Sequence, residues 1–447
     1  ILTGLGDAMV VDVGGTTTDT ADICDHMVEV CESGAHVGGF MTHVKALNMR
    51  TSGLGGDSLI RWKPDRGGFV IGPSRVGPLV WAYDGIFHPP YKKSLLGTLV
   101  WADDAPSKDD APSKSSRGSS SMDEALARME SSSLNHIDQV VFTAMEGDFP
   151  FEPTSQEKRI YDLLLVRPHT PEELCEKLAM LSTLFLPVSR LEESGLVQRC
   201  GLTPTDILHV RGDFTRWDPG PARRMLNIIS RFTKIPVAEI IDRIMAQIHK
   251  KLAMELLKKQ LYKDISEEDA EASPAARQLM EAIVEPPGSR YRLRAQFTHP
   301  VIGIGAPVHY FLPQAGKLLD INVVIPPDAD VANALGAITT HIMIRQKLII
   351  RPHSTGAFVV EGAPGNITFK DIDQAEEWSL NYLKDSVLSK AVKAGTGNKT
   401  VTMEISDRIV DTGNSMSLFL DRTITATLKG SPHPAFFPGR TFSLSCG

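Results

Sequence analysis

A chain of 447 residues with 42% hydrophobic and 23% charged residues has the composition of a soluble globular protein of about three domains. Its net charge of -7 argues against a broad nucleic-acid-binding surface, and no apolar run approaches the roughly 18 residues that a membrane-spanning helix needs. The five cysteines, Cys24, Cys31, Cys175, Cys200 and Cys446, are odd in number and scattered, which points to a reducing cytoplasm over a disulfide framework.

The first element is DAMVVDVGGTTTD at residues 7–19. Ala8 to Val13 is an apolar, β-branched run broken only by Asp12, suited to a strand buried on both faces. Gly14 and Gly15 let the backbone turn sharply with its N–H groups uncovered, which makes an anion cradle. Thr16, Thr17 and Thr18 add hydroxyl donors. Asp12 and Asp19 would repel a bound anion unless a divalent cation bridges the two, so the residue set suits a metal-complexed polyphosphate. A plain β-hairpin accounts for the same residues, with Gly-Gly as its turn and the threonines on the returning strand, and the two readings are compatible.

Strand-like runs then alternate with glycine turns: Ala21 to Val30, HVGGF, and Thr42 to Met49. Cys24, His26, Cys31 and His36 cluster in sequence, but their spacing matches no usual zinc pattern and they read as ordinary residues of those strands. Gly53, Gly55 and Gly56 with Asp57 and Ser58 form a second glycine-rich turn, and a helix is expected to begin at or after Ser58. Asp57 then serves either as a metal-side carboxylate or as the helix cap.

Residues 102–133 break the composition, with DDAPSK in tandem at 103–108 and 109–114 followed by a serine-rich run. Such a tract buries little apolar surface and reads as a flexible linker, with one short helix at Met122 to Met129. Residues 157–201 are helical in pattern, Thr170 and Pro171 marking a helix start. The order of helix, TPEEL helix and VSRLEESGLVQR resembles a winged helix-turn-helix. Its candidate second helix pairs Arg190 with Glu192 and Glu193, which phosphate would repel, so a structural or protein-docking module is expected. In GLTPTDILHV, Asp206 and His209 share a helical face as ligands would, yet Thr203, Pro204 and Asp206 also spell a capped helix start, the preferred reading. Residues 220–285 supply amphipathic packing helices with lysines on the outer face.

The segment VIGIGAPVHYFLPQAGKLLDINVVIPPDADVANALGAI at 301–338 predicts a strand at Val301 to Ile304 and a turn carrying Gly303, Gly305, Ala306 and Pro307. A helix from Val308 to Leu319, a strand from Ile321 to Ile325 and an alanine-rich helix from Asp328 to Ile338 follow. Beyond residue 340, IMIRQKLIIRP reads as a strand or helix end, Gln374 to Val392 as a helix, and KTVTMEI and TITATLKG as strands. No nucleophile elbow, HExxH or P-loop lysine motif is present.

DVGGTTTD, GLGGDS at 53–58, GIGAPVHYFLP and VANALGA, in that order and with GLTPTDILHVRGDFTRWD between them, resemble the nucleotide-binding half of the hydantoinase/oxoprolinase family. The resemblance implies an α/β, actin-like ATPase (ribonuclease H-like) fold, here with a helical, winged-helix-like insertion and a small α+β C-terminal region. It lays the chain out as nucleotide-binding segments 1–101 and 291–345, linker 102–133, insertion 134–290 and C-terminal region 346–447. It also implies ATP and Mg²⁺ as cofactors and ATP-dependent opening of a cyclic amide, of the 5-oxoproline or hydantoin class, through carbonyl phosphorylation.

On that resemblance Gly14, Gly15, Thr16, Thr17 and Thr18, with Gly55, Gly56 and Asp57, hold phosphate; Asp12 and Asp19 act in catalysis and hold Mg²⁺; and Gly303, Gly305, Ala306 and Pro307 border the adenosine. The family carries a first phosphate hairpin in an N-terminal domain, whereas this chain has one such motif a few residues after Ile1. A fragment completed by that domain or by a partner subunit, in a cytoplasmic oligomer without nucleic acid or membrane, is therefore expected. The rival readings are a subunit of an ATP-dependent ketone carboxylase, a chaperone or reactivator docking through the helical insertion, and a DNA-binding regulator that the acidic balance disfavours.

Overall fold

Alternating burial defines β1 (Ala8–Val13): Met9, Val11 and Val13 pack into the core, while Val10 and Asp12 are half-covered on the other face. The strand is therefore not closed on both faces, although Asp12 Oδ1 itself is buried. In the computed structural model the described residues are 3–25, 27–28, 30–31, 36–37, 40–41, 46–63, 65, 67–85, 91–93, 99–101, 116–131, 139–285, 293–339, 342–353, 356–365, 367–411 and 417–430. They form a mixed α/β architecture with several sheets, divided into two compact units, 1–332 and 333–447.

In the first unit β1 lies between two different neighbours. Strand Val301–Ile304 runs parallel to it, with Asp12 opposite Ile304. β2 (Thr18–Cys24) returns antiparallel, with Val13 opposite Thr18 and Asp12 opposite Asp19. Val323–Val324 extends the sheet on one side, Met27–Val28 on the other, and Met49–Ser52 also pairs with β2. The expected strand at Ile321 to Ile325 shrinks to those two residues, and the alanine-rich helix begins as a 3₁₀ turn, Ala329–Val331.

Ser58–Lys63 is a strand, β3, and not the helix expected there. It pairs antiparallel with β4 (Gly68–Arg75), and Trp62 sits opposite Phe69 with ring centroids 5.1 Å apart. The apolar and aromatic side chains of this run gain more from a cross-strand partner than from a helix that would expose half of them.

Helices α1 (Leu79–Gly85), α2 (Ser116–Ser131) and α7 (Gly220–Thr233) pack together on this core. α2 is longer than the short helix read from the linker and buries Met122, Ala125, Leu126 and Met129. Arg224 fixes it through Asp123 at 3.0 Å and Glu130 at 3.2 Å. The DDAPSK repeats lie outside the described residues.

The winged-helix-like segment has its own small core. It comprises α3 (Ser155–Val166), α4 (Pro171–Leu178) and α5 (Ser189–Glu193), with strands Val140–Ala144 and Val197–Gly201 paired antiparallel. Thr154 and Thr170 both close capping boxes. α6 (Pro204–Arg211), α8 (Val237–Leu261), α9 (Glu267–Ala272), α10 (Pro274–Val284), α11 (Val308–Leu319) and α12 (Ala332–Thr339) complete the helices up to residue 339.

The second unit is an antiparallel five-stranded sheet in the order Ile367–Phe369, Phe358–Glu361, Ile342–Pro352, Ser417–Gly430, Val401–Asp411. IMIRQKLIIRP is thus a strand, and α13 (Ile372–Lys393) buries Ala375, Leu383, Val387 and Ala391 in the same core as Leu348, Ile424 and Leu428. No helix among the described residues is long and apolar enough to cross a membrane.

If α2 is part of the core, Leu126→Ala leaves a cavity and costs about 2–5 kcal/mol. A urea midpoint unchanged by that substitution would return α2 to the status of a surface linker.

Candidate functional site

Three turns that are far apart in sequence meet at the end of β1. Gly14 N–H donates to Thr17 O at 2.9 Å, closing the turn between β1 and β2. The second glycine turn lies against it: Gly56 N–H donates to Gly14 O at 3.0 Å and Asp57 N–H to Gly15 O at 2.6 Å. A Cβ on Gly55 would stand 2.4 Å from Gly15 O, so the two backbones touch where no side chain fits. The third turn follows strand Val301–Ile304. Gly305 has φ +95, and a Cβ there would stand 2.2 Å from Val13 O and 2.8 Å from Asp12 Oδ1. Pro307 then caps α11, whose first turn closes on the glycine turn through Val308 N–H to Gly305 O at 3.2 Å and Tyr310 N–H to Pro307 O at 3.1 Å. Gly56 connects the set, since a Cβ on it would meet Thr205 Oγ1 at 2.9 Å and Pro307 Cγ at 3.5 Å.

The polar side chains divide into those that face the turns and those that brace them. Asp12 and Asp19 are directly opposed across the hairpin and so lie on one face of it. Asp19 is engaged: it accepts from Thr17 Oγ1 at 3.0 Å and from Thr51 Oγ1 on the neighbouring strand. Thr16 and Thr17 are half-covered, and Ala306 is exposed. Thr18, expected among the anion-facing hydroxyls, is instead 1% exposed and donates to Leu54 O at 2.7 Å, tying the hairpin to the second turn. Gly303 likewise belongs to packing, because its missing Cβ makes room for Leu312 and Val308 of α11.

Asp57 caps no helix, since β3 follows it; its carboxylate reaches the Gly15 turn and pairs with Arg75 Nη2 at 3.3 Å. Burial pushes the Asp57 carboxyl up, and Arg75 opposes that rise. Among the described residues no group of three or more His, Cys, Asp or Glu is assembled as a metal site. Of the clustered Cys24, His26, Cys31 and His36, Cys24 is exposed and His26 lies outside the described residues.

The brace behind the turns was not legible as such. Thr205, in the first turn of α6, donates through both N–H and Oγ1 to Gly56 O, at 2.9 and 2.8 Å. Lys251 of α8 donates to Gly53 O at 3.1 Å and to Ile71 O at 2.8 Å. Lys259, two turns further along, is 5% exposed and meets Asp22 at 3.5 Å and Asn48 O at 2.9 Å. Two of the lysines expected on the outer face thus point inward; only their spacing of eight along an amphipathic helix hints that they share a side.

α6 takes the capping reading of its sequence. Asp206 Oδ2 accepts from Thr203 N–H at 2.8 Å and Thr203 Oγ1 at 2.7 Å, and Oδ1 accepts from Val80 N–H at 2.8 Å. Asp206 is completely buried, which pushes its carboxyl up to about 7 against the pull of those donors. His209 is also buried, with Nδ1 at 2.8 Å from Thr205 O and its ring stacked on Trp217.

Residues 2–84 match the hydantoinase/oxoprolinase family. That segment contains the first and second glycine turns but ends before the third. Among solved structures the chain is similar to a nucleotide-free acetone carboxylase, from work on the mechanism of ATP-dependent acetone carboxylation, with TM-score 0.41 and 12% identity. The likeness covers 97% of this chain and 48% of the other, so the chain spans about half the length of that carboxylase. Comparison with curated proteins gives no match.

Two outcomes follow from this geometry. Gly55→Ala drives a methyl group into the Gly15 carbonyl, and a loss of several degrees in melting temperature is expected, whereas Gly336→Ala, in a helix with nothing within 4 Å of the added methyl, costs no melting temperature. Asp206 has a folded pKa above its unfolded value of about 4, so it contributes stability below that value which is lost as pH rises toward 7. Asp206→Asn should be less stable by about 1–3 kcal/mol at low pH, with the gap to wild type narrowing from about pH 4 to 7 in urea titrations.

Proposed function

We propose that the first unit is the nucleotide-binding half of an actin-like ATPase fold and that it serves ATP-dependent opening of a cyclic amide of the 5-oxoproline or hydantoin class. The reading rests on one observation: the turns at Gly14–Gly15, Gly55–Asp57 and Gly305–Pro307 converge backbone to backbone beside the start of α11. The family match over residues 2–84 supports the class of reaction.

On this reading the N–H groups of Gly15, Thr16 and Thr17 receive phosphate oxygens, with the positive end of α11 beside them. The Thr17 hydroxyl, which donates to Asp19, is held in a fixed orientation beside them. Asp12, with Asp19 opposite it, would hold Mg²⁺ through water, the pairing of two carboxylates on one face being costly without a cation. Gly305, Ala306 and Pro307 would border the adenosine, and Asp57, neutralised in part by Arg75, would limit where the phosphate chain can run. ATP, when bound, supplies the phosphoryl group that turns a poor carbonyl leaving oxygen into phosphate. The residues of this chain position and neutralise charge; the opposite wall would come from an N-terminal domain or a partner subunit, in a cytoplasmic oligomer.

Calorimetry of ATP with and without Mg²⁺ tests the site. Mg²⁺-dependent binding that Asp12→Ala weakens by about tenfold or more is expected, equivalent to about 1.4 kcal/mol. Equal binding by wild type and Asp12→Ala, or ADP release from the assembled enzyme that neither 5-oxoproline nor hydantoin stimulates, would overturn the site and the substrate class respectively.

A further inference from the structure

The sheet of the second unit treats its two edges differently. One edge is Ile367–Phe369, three residues long and too short to recruit a further strand. The other is Val401–Asp411, eleven residues or about 37 Å. It pairs along one side with Ser417–Gly430 and, among the described residues, with no strand along the other. Its sequence, VTMEISDRIVD, holds no proline, lysine or glycine, the residues that commonly blunt an edge. The register irregularity of the pair puts the extra residue, Leu420, on Ser417–Gly430, inside the sheet, so the edge itself runs on unbroken.

Val401 and Met403 pack against the core under α13, but every residue from Glu404 to Val410 is exposed. Ile405, Ile409 and Val410 are 47%, 56% and 44% exposed, the two isoleucines on one face and the valine on the other. A long row of open backbone donors and acceptors with apolar side chains on both faces is a template for another strand.

The charges select which strand. Two copies of one edge pair antiparallel about a two-fold axis normal to the sheet, which sets only same-face residues opposite each other; the axis therefore passes through a residue and not between two. An axis at Glu404, Asp407 or Arg408 opposes like charges, and one at Ile405 sets Glu404 against Ser406 and Arg408 against Thr402. An axis at Ser406 sets Glu404 against the partner's Arg408 twice and Met403 against the partner's Ile409 twice. Asp407, which then meets the partner's Ile405, is already neutralised by Arg422 at 2.7 Å. Within one chain Glu404 pairs with Arg345 at 3.7 Å and Arg408 with Asp421, so the new pairs extend a row of alternating charge and bury no lone one.

We propose that Val401–Asp411 pairs antiparallel with the same strand of a second copy of this chain, across a two-fold axis at Ser406, joining two five-stranded sheets into one. The pairing does not depend on the nucleotide reading of the glycine turns.

Sedimentation velocity of the full chain reads the dimer directly. Reversible dimerisation with a dissociation constant of about 1–100 µM is expected, as suits an interface built on one strand. Glu404→Arg and Arg408→Glu should each weaken it by about tenfold or more with little change in melting temperature. An equimolar mixture of the two variants should regain it, because each Arg then faces a Glu. Oxidation of Ser406→Cys should give a disulfide-linked dimer, since the axis sets residue 406 opposite its own copy at a Cα separation of about 4.5–5.5 Å. Ile405→Cys, set diagonally to its copy at about 7–8 Å, should cross-link no more than wild type. Four results would overturn the proposal: wild type monomeric at about 200 µM, a dimer indifferent to both charge reversals, a dimer lost in both and not regained on mixing, or Ile405→Cys cross-linking as readily as Ser406→Cys.

Discussion

The contact on which the first unit depends is that between two peptide backbones, the Gly14–Gly15 turn and the Gly55–Gly56 turn. Two N–H···O bonds join them, and the space between leaves no room for a single Cβ. Close approach of this kind is available only to glycine, and it costs conformational entropy that the rest of the unit must offset. What it yields is a surface of backbone N–H groups at the end of a buried strand, fixed in place before any ligand arrives.

The offset comes from behind the turns. α6 and α8 reach the second turn from different directions, α6 through Thr205 and α8 through Lys251. Lysines at 251 and 259 are desolvated in doing so, which is tolerable because their ammonium groups meet carbonyls and, at Lys259, the Asp22 carboxylate. Burial lowers the Lys251 pKa, but the carbonyl oxygens favour its charged form. The result is a hairpin braced from behind, with Asp12 Oδ1 buried against the Gly305 turn and Thr17 half-covered.

The winged-helix-like segment shows the opposite economy of charge. Arg190, the cation that a nucleic-acid reading would need, lies over the Phe151 ring and beside the Glu157 carboxylate. Arg199 is taken by Glu192. These cations stabilise the small core from its edge.

Local chemistry was legible wherever a few adjacent residues decide the outcome. The strand–turn–strand at Ala8 to Cys24, the helix at Val308 to Leu319 and the Thr203–Asp206 cap follow from alternation, periodicity and capping, and stand in the structure where the sequence puts them. Ser58–Lys63 did not follow, because a Gly-Gly-Asp-Ser start suits a helix as well as a turn and the choice falls to the cross-strand partner at 68–75. The same limit explains Thr18, Thr205, Lys251 and Met122: a hydroxyl, an ammonium or an apolar side chain in a local pattern does not say what it will face. The sequence by itself determined which segments turn, cap and alternate, and which residues carry phosphate-compatible chemistry. Only the tertiary structure decided which of them converge, because that depends on contacts between residues far apart in the chain, formed when the apolar faces of β1, α8 and α11 are buried together.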